Sequence, residues 1–177
     1  MTVTFQPFGA AQEVTGAKHM LKIGQDGHLI DCGMFQGHRE DAHQKNSRLP
    51  FDASALRAVI LSHGHLDHCG SLPSLLRRDY QGFIGATAAT RDIANLIMMD
   101  AAHIMAKDYE WLCRKHPDRH AYEPTYAERD VLDTINRFMT LGYRQPFPLP
   151  GGAVCEFRDA GHILGASMVV VSLSEHE

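Results

Sequence analysis

Four side chains of types that commonly bind metal ions fall between residues 63 and 68: His63, His65, Asp67 and His68. They follow an apolar run at residues 59–61, which is typical of a buried strand. In an extended segment, residues two apart point the same way, so His63 and His65 share one side. Imidazole nitrogens with a carboxylate oxygen and no sulfur suit zinc, with manganese or iron as alternatives. The sequence therefore predicts a metal site at the end of a strand.

A further histidine, His162, lies between glycines directly before a β-rich apolar run at residues 168–173. Three neutral imidazoles form a known catalytic zinc site that keeps a fourth position for water. We therefore predict that His63, His65 and His162 hold one metal ion, which leaves Asp67 and His68 for a second. Two neighbouring metal ions activate a water and stabilise the attacking and leaving oxygens of a displacement, so the expected chemistry is hydrolysis.

Three more side chains near these motifs each have two interpretations. Asp31 ends a strand, where it either caps a turn or orients a ligand histidine. His103 lies in a helical segment and is either a surface histidine or a group that assists catalysis. Cys69 directly follows the metal motif and is either a small buried side chain, which is the commoner case for free cysteine, or a ligand.

Length and composition favour one cytoplasmic domain spanning residues 1–177. The chain is 44% hydrophobic, which is enough for a core, and its net charge of -4 gives no basic footprint of the kind that nucleic-acid binders carry. No apolar run approaches the roughly 20 residues of a membrane helix, and the N-terminus does not resemble a signal peptide. We therefore expect no membrane association. The four cysteines have no paired spacing, so we expect free thiols in a reducing compartment.

The pattern of apolar residues predicts a mixed α/β chain in which a strand, the metal motif, a helix and a second strand form a βαβ unit. Such sheets place their sites at the carboxyl ends of strands. The segment 39–54 is polar and is expected to be irregular, and residues 24–27 and 146–152 are expected to be turns. Strands are expected at residues 2–8, 18–23, 29–32, 56–61, 81–86, 153–157 and 168–173, and helices at residues 71–78, 90–115 and 125–138.

Several motifs resemble those of known proteins over about residues 3 to 173. The segment SHGHLDH at residues 62–68 resembles the HxHxDH signature of the metallo-β-lactamase superfamily. Other segments resemble, more narrowly, the β-CASP branch of that superfamily. This branch contains nucleases that process messenger RNA ends and related bacterial and archaeal ribonucleases. The segments that carry this second resemblance are GAAQEVTGAKHML, LIDCGMFQG, ATAATRDIANLIMMDAAHI and DAGHILGAS.

This resemblance implies an αβ/βα sandwich with metal ions at one edge between its two sheets. It places one metal on His63, His65 and His162 and another on Asp67 and His68, with Asp31 supporting the site. Asp67, Asp31 and His103 would be the catalytic residues, and His103 would assist the leaving group. The implied activity is cleavage of RNA phosphodiesters with a metal-bound hydroxide as the nucleophile.

The β-CASP pattern also contains an aspartate that bridges both metals, just after the strand that corresponds to residues 168–173, followed by an insert and another metal-binding histidine. No residue at 174–177 fits that aspartate, although Glu175 or His176 could reach inward. We therefore expect the N-terminal half of the sandwich, with one zinc ion bound and the second bound weakly or not at all. Two alternatives remain: a metal-stabilised module without catalysis that associates with a partner chain, and a hydrolase of small esters or thioesters on the same fold.

A half-sandwich is expected to expose apolar sheet surface and therefore to self-associate. Size-exclusion chromatography over a range of protein concentrations tests this expectation. The elution volume should shift towards that of a dimer or larger species as the concentration rises. A monomer at every concentration, up to the highest that remains soluble, would contradict it.

Overall fold

The computed structural model describes residues 2–117 and 121–173, which form two β-sheets and five α-helices. The larger sheet contains, in spatial order, β1 (Val3–Gly9), β2 (Lys18–Ile23), β3 (Asp26–Ile30), β4 (Leu56–Ile60), β5 (Phe83–Ala86) and β6 (Phe138–Thr140). The smaller sheet contains β7 (Phe147–Leu149), β8 (Ala153–Asp159) and β9 (Ser167–Leu173). The helices are α1 (Arg39–Asn46), α2 (Leu66–Cys69), α3 (Leu72–Leu76), α4 (Ala88–Lys115) and α5 (Glu128–Ile135).

Alternation along the central strand divides the core into two parts. Val59 and Leu61 face the helices, whereas Ala58 and Ile60 face the smaller sheet. All four side chains are at most 1% exposed, so the larger sheet is covered on both faces here. Residues that complete the core between the sheets include Phe147, Leu149, Ala153, Cys155 and Phe157. The layers are therefore helices, sheet and second sheet, which confirms the mixed α/β prediction.

The larger sheet combines two kinds of pairing. Strands β1, β2 and β3 pair antiparallel, and β3, β4, β5 and β6 pair parallel. The βαβ unit predicted around the metal motif is confirmed, because β4 and β5 are parallel neighbours separated in sequence by α2 and α3. Parallel pairing brings the carboxyl ends of β3 and β4 to the same edge, where Asp31 and His63 follow those strands.

Helix α4 supports this edge along its first turns. Thr87 begins the helix by accepting a hydrogen bond at its Oγ1 from the main-chain nitrogen of Thr90 (3.2 Å). Ala94, Met98 and Ala102 follow at intervals of four residues and are buried against the sheet, as expected for the apolar stripe of an amphipathic helix. In the part of the chain that the structure describes, no helix has both the length and the apolarity needed to cross a membrane.

Two sequence expectations were wrong in the first third of the chain. Strand β3 begins at Asp26 and not at residue 29, because Ile23 at the end of β2 pairs directly with Asp26 across a two-residue turn. Gly24 has a φ of 62°, the left-handed conformation that such a tight turn requires. The polar segment 39–54 is also not wholly irregular, since residues 39–46 form α1, a helix with no buried residue. Its exposure explains why no apolar periodicity predicted it.

Two further differences concern the second half of the chain. The helix expected at residues 125–138 ends at Ile135, and Phe138 instead pairs with Ile84 as part of strand β6. Residues 147–149, expected within a turn, form β7 because Phe147 pairs with Cys155 and completes the core between the sheets. In each case, pairing with a distant strand or packing against one overrode the local pattern.

Gly33 allows the chain after β3 to pass against α2. A Cβ atom at Gly33 would overlap the main-chain carbonyl of Asp67. Gly33→Ala should therefore lower the free energy of unfolding by about 2–3 kcal/mol, through forced displacement of the backbone. Urea denaturation measures this change. Gly27→Ala is a matched control within β3, since its new Cβ would lie 3.5 Å from the sulfur of Met20, an ordinary contact. Equal losses in the two variants would contradict the argument.

Candidate metal centre

Three imidazole rings converge at the edge of the larger sheet. The Nδ1 atom of His65 lies 3.1 Å from Nε2 of His63 and 3.2 Å from Nε2 of His162. One nitrogen from each of these rings lies within 4.8 Å of the other two. Zinc–nitrogen bonds in a tetrahedral site place neighbouring ligand nitrogens about 3.3 Å apart, so two of the three separations already match such a site. The donor set and its spacing therefore fit a metal ion.

Different elements deliver these three histidines. His63 follows β4, and His65 is the extended residue (φ −69°, ψ 149°) that directly precedes α2. His162 lies in the turn between β8 and β9, distant in sequence from the other two. Exposure rises from 9% at His63 to an exposed side chain at His162, so the cluster opens to solvent on the His162 side.

Hydrogen bonds from α4 hold the turn that carries His162. The hydroxyl groups of Thr87 and Thr90 both donate to the carbonyl oxygen of Gly165, each at 2.8 Å. Gly165 has a φ of 80°, and a Cβ there would lie 2.6 Å from the main-chain nitrogen of Thr90. A glycine at this position therefore allows the turn to approach the helix. The position of His162 thus depends on the capped first turn of α4.

Asp31 is the buried hub beside the histidines. It is 4% exposed and has a φ of 60°, a left-handed conformation that aspartate tolerates better than most residues. Its Oδ1 accepts from the main-chain nitrogen of Ser62 (2.7 Å), and its Oδ2 accepts from Oγ of Ser62 (2.7 Å) and Nδ1 of His68 (2.8 Å). These contacts favour the site-supporting interpretation of Asp31 over a turn cap.

The charge state of the rings differs on the two sides of the site. Burial, and then the nearby His68, lower the pKa of His63 to about 4, so its ring is neutral at pH 7. Burial also opposes a charge on His68, but the hydrogen bond and the negative charge of Asp31 outweigh it and raise the pKa of His68. A neutral imidazole is the form that binds metal ions, which His63 therefore offers without losing a proton.

The residues predicted to hold a second metal lie next to this cluster. The rings of His63 and His68 have centroids 4.0 Å apart, and Nε2 of His68 lies 3.7 Å from Oδ2 of Asp67. These two side chains offer one nitrogen and one carboxylate on α2, and their role as ligands stays a prediction. Glu175 and His176, the residues considered as further ligands, lie outside the described residues.

Two other candidates have environments of their own. His103 is 59% exposed at its side chain, and its Nδ1 atom lies 3.6 Å from Oε1 of Glu128 on α5. The structure pairs it with that carboxylate and not with the histidine cluster, so its catalytic role stays a prediction. Cys69 is fully buried, and its Sγ donates to the carbonyl oxygen of Gly64 at 3.5 Å. Burial raises the pKa of its thiol, which matches the interpretation as a small buried side chain.

Two residues of the site were missed from the sequence. Ser62 contacts both Asp31 and His63, and the available signal was a hydroxyl residue directly before the histidine motif. Lys18 is 1% exposed; its ammonium donates to the carbonyl oxygen of Gly33 and lies 4.5 Å from the ring centre of Phe35. It therefore holds the chain just after Asp31. The sequence signal for Lys18 was its position two residues before the buried Met20, on the same face of β2.

The geometry of the site agrees with the result of comparison with known protein families. The model of the metallo-beta-lactamase superfamily matches residues 20–119. This chain belongs to that superfamily. The resemblance predicted from SHGHLDH is therefore confirmed.

The curated relatives of this chain include two ribonucleases and a transcription termination factor. Ribonuclease TTHA0252 of Thermus thermophilus is 37% identical over 164 residues, which cover 93% of this chain and 34% of that protein. Transcription termination factor FttA of Methanocaldococcus jannaschii is 27% identical, with 94% and 24% covered. Endoribonuclease YSH1 of Saccharomyces cerevisiae is 27% identical, with 98% and 22% covered. These relatives confirm the likeness to the β-CASP branch, and the chain spans about a third of their length or less.

Solved structures support the fold. The subclass B3 metallo-β-lactamase BJP-1 of Bradyrhizobium japonicum has a TM-score of 0.55 at 15% identity, with 98% of this chain and 56% of that chain covered. A metallo-β-lactamase of Cronobacter sakazakii has a TM-score of 0.51 at 21% identity, with 95% and 58% covered. At these identities the likeness concerns the arrangement of sheets and helices alone.

Replacing the carboxylate of Asp31 by an amide tests its role as hub. In Asp31→Asn, an NH₂ group faces at least one of three hydrogen-bond donors, so the free energy of unfolding should fall by about 2–3 kcal/mol. Zinc affinity should fall by about 10–100-fold, as for other groups that orient metal ligands. Urea denaturation with a chelator and a zinc competition titration measure the two effects.

Asp52→Asn is the matched control for that variant. Oδ1 of Asp52 also accepts from the nitrogen and the hydroxyl of one serine, Ser54 (2.9 and 2.8 Å), but outside the site. Asp52 caps the short 3₁₀ helix Ala53–Ala55. Because asparagine caps a helix about as well as aspartate, this variant should change stability by under about 0.5 kcal/mol. Similar losses of zinc affinity in both variants would contradict the role assigned to Asp31.

Proposed function

We propose that this chain provides the metal-binding region of a zinc-dependent ribonuclease that hydrolyses RNA phosphodiester bonds. The observation that carries the proposal is the convergence of the ring nitrogens of His63, His65 and His162 within 4.8 Å of one another. Three imidazoles without a thiolate favour zinc, with manganese or iron as alternatives. Membership of the metallo-beta-lactamase superfamily and the names of the ribonuclease relatives support hydrolysis and RNA as the substrate.

Each residue of the site has a distinct task under this proposal. A zinc ion, when bound, supplies a Lewis acid that activates water and stabilises charge on phosphate oxygens. His63, His65 and His162 would hold one ion, and Asp67 with His68 would hold a second one more weakly. Asp31 keeps His68 in place through a 2.8 Å hydrogen bond to its Nδ1 atom, so the Nε2 atom of His68 remains available as a ligand.

RNA binding by this chain would depend on the site and on partners more than on its overall charge. The net charge of -4 gives no general attraction to phosphates, which supports recognition by local contacts. One relative, 28% identical, is named as a subunit of the Integrator complex of Danio rerio, which supports a partner chain or self-association. Four cysteines without disulfides support action in the cytoplasm.

RNA cleavage by the zinc-loaded chain is the direct test of this proposal. Labelled RNA should be cut by wild type with zinc, and EDTA should abolish the cleavage. His63→Ala removes a ligand and should reduce the rate by more than the roughly 10–100-fold typical of an outer partner. His38→Ala is the matched control, because this exposed histidine precedes α1 without capping it through its side chain.

A zinc-loaded wild type that cuts no RNA would reject the ribonuclease proposal. Turnover of a small ester or thioester by the same sample, lost in His63→Ala, would then favour the small-substrate hydrolase. Zinc binding with neither activity would favour a metal-stabilised module without catalysis. Equal RNA cleavage by His63→Ala and wild type would indicate a contaminating nuclease and would also reject the proposal.

A further inference from the structure

The hydroxyl group of Ser62 lies between a carboxylate and a candidate metal ligand. Its Oγ atom is 2.7 Å from Oδ2 of Asp31 and 2.9 Å from Nδ1 of His63. Asp31 accepts from three donors in all, which is the pattern of an ionised carboxylate, and such a group cannot donate. A serine hydroxyl has one proton. That proton is therefore directed to Asp31, and Oγ must accept from the Nδ1–H group of His63.

This direction of the hydrogen bonds has a consequence for the other side of the ring. A neutral imidazole with its proton on Nδ1 has its lone pair on Nε2. Nε2 of His63 is the atom that lies 3.1 Å from Nδ1 of His65 in the cluster. We infer that Ser62 is a positioning residue that fixes the tautomer and ring orientation of His63 for metal binding. The inference deepens the proposed function, because it concerns the same metal site.

The main chain of Ser62 is held independently of its hydroxyl. Its nitrogen donates to Oδ1 of Asp31 (2.7 Å), and its carbonyl oxygen accepts from the nitrogen (2.8 Å) and Oγ (3.1 Å) of Ser167 at the start of β9. The hydroxyl is therefore presented to His63 by a backbone anchored to both sheets. Ser62→Ala would remove the two hydroxyl contacts and leave the three main-chain contacts in place.

Ser62 and His68 depend on the same oxygen of Asp31. Oδ2 accepts from the Ser62 hydroxyl and, at 2.8 Å, from Nδ1 of His68. Loss of the Ser62 hydroxyl leaves the contact to His68, so its effect should be confined to the three-histidine site. Asp31→Asn, in contrast, disturbs both sides. This difference separates a positioning role of Ser62 from a general loss of the hub.

The experiment compares wild type with Ser62→Ala, Ser62→Thr and Ser167→Ala. The tautomer of His63 is read in the metal-free protein from long-range ¹H–¹⁵N correlations of the imidazole. Zinc affinity is measured by competition with a chromophoric chelator, and urea denaturation monitors the fold. Ser167→Ala is the matched control, because it loses a hydroxyl that contacts Ser62 at its carbonyl oxygen and not at the ring of His63.

We expect the Nδ1–H tautomer of His63 in wild type, Ser62→Thr and Ser167→Ala. Ser62→Ala should shift His63 towards the Nε2–H tautomer and bind zinc about 10–100-fold more weakly, with restoration by threonine. An Nε2–H tautomer in wild type would overturn the inference, as would wild-type tautomer and zinc affinity in Ser62→Ala. If Ser62→Ala fails to fold, the tautomer in wild type and in Ser62→Thr decides.

The same experiment separates this inference from the proposed function. Absence of zinc binding by wild type would reject the metal site on which the proposed function rests. The tautomer is read without metal, so in that event an Nδ1–H proton on His63 in wild type, lost in Ser62→Ala, would still support the hydrogen-bond assignment. Zinc binding and RNA cleavage by wild type, with no change in tautomer or affinity in Ser62→Ala, would overturn the role of Ser62 alone.

Discussion

One buried carboxylate joins the segments from which the site is built. Asp31 lies at the end of β3 and accepts hydrogen bonds from Ser62 after β4 and from His68 on α2. An unpaired charge at 4% exposure would be costly, and three donors compensate for it here. The same three contacts define where the Ser62 hydroxyl and the His68 ring lie. The placement of Ser62 and His68 and the compensation of a buried charge therefore depend on one group.

The layers of the fold make this junction possible. Parallel pairing of β3 and β4 brings Asp31 and Ser62 to one edge, and the close passage at Gly33 admits α2 beside them. The smaller sheet contributes from the other side, since Ser167 at the start of β9 donates to the carbonyl of Ser62. The turn that carries His162 is in turn held by threonines of α4. Each layer thus supplies one side of the histidine cluster.

The superfamily and the geometry carry different parts of the functional conclusion. The proposal of hydrolysis rests on the imidazole set, which is common to proteins with many substrates. The proposal of RNA as the substrate rests on the names of relatives, and this chain covers about a third of their length or less. The solved neighbours with this fold include β-lactamases, which illustrates why the arrangement of sheets alone does not select a substrate.

The sequence by itself determined the ligand types and the local elements that repeat with a clear period. The spacing of His63, His65, Asp67 and His68, the buried strand β4 and the long helix α4 all depend on neighbours in sequence, and these were predicted. Tertiary structure alone decided the short strands β6 and β7 and the exposed helix α1, whose local patterns carry little periodicity. It also decided that Ser62 bridges Asp31 and His63 and that His103 pairs with Glu128, because hydrogen bonds between distant segments depend on the folded arrangement and leave no spacing to detect.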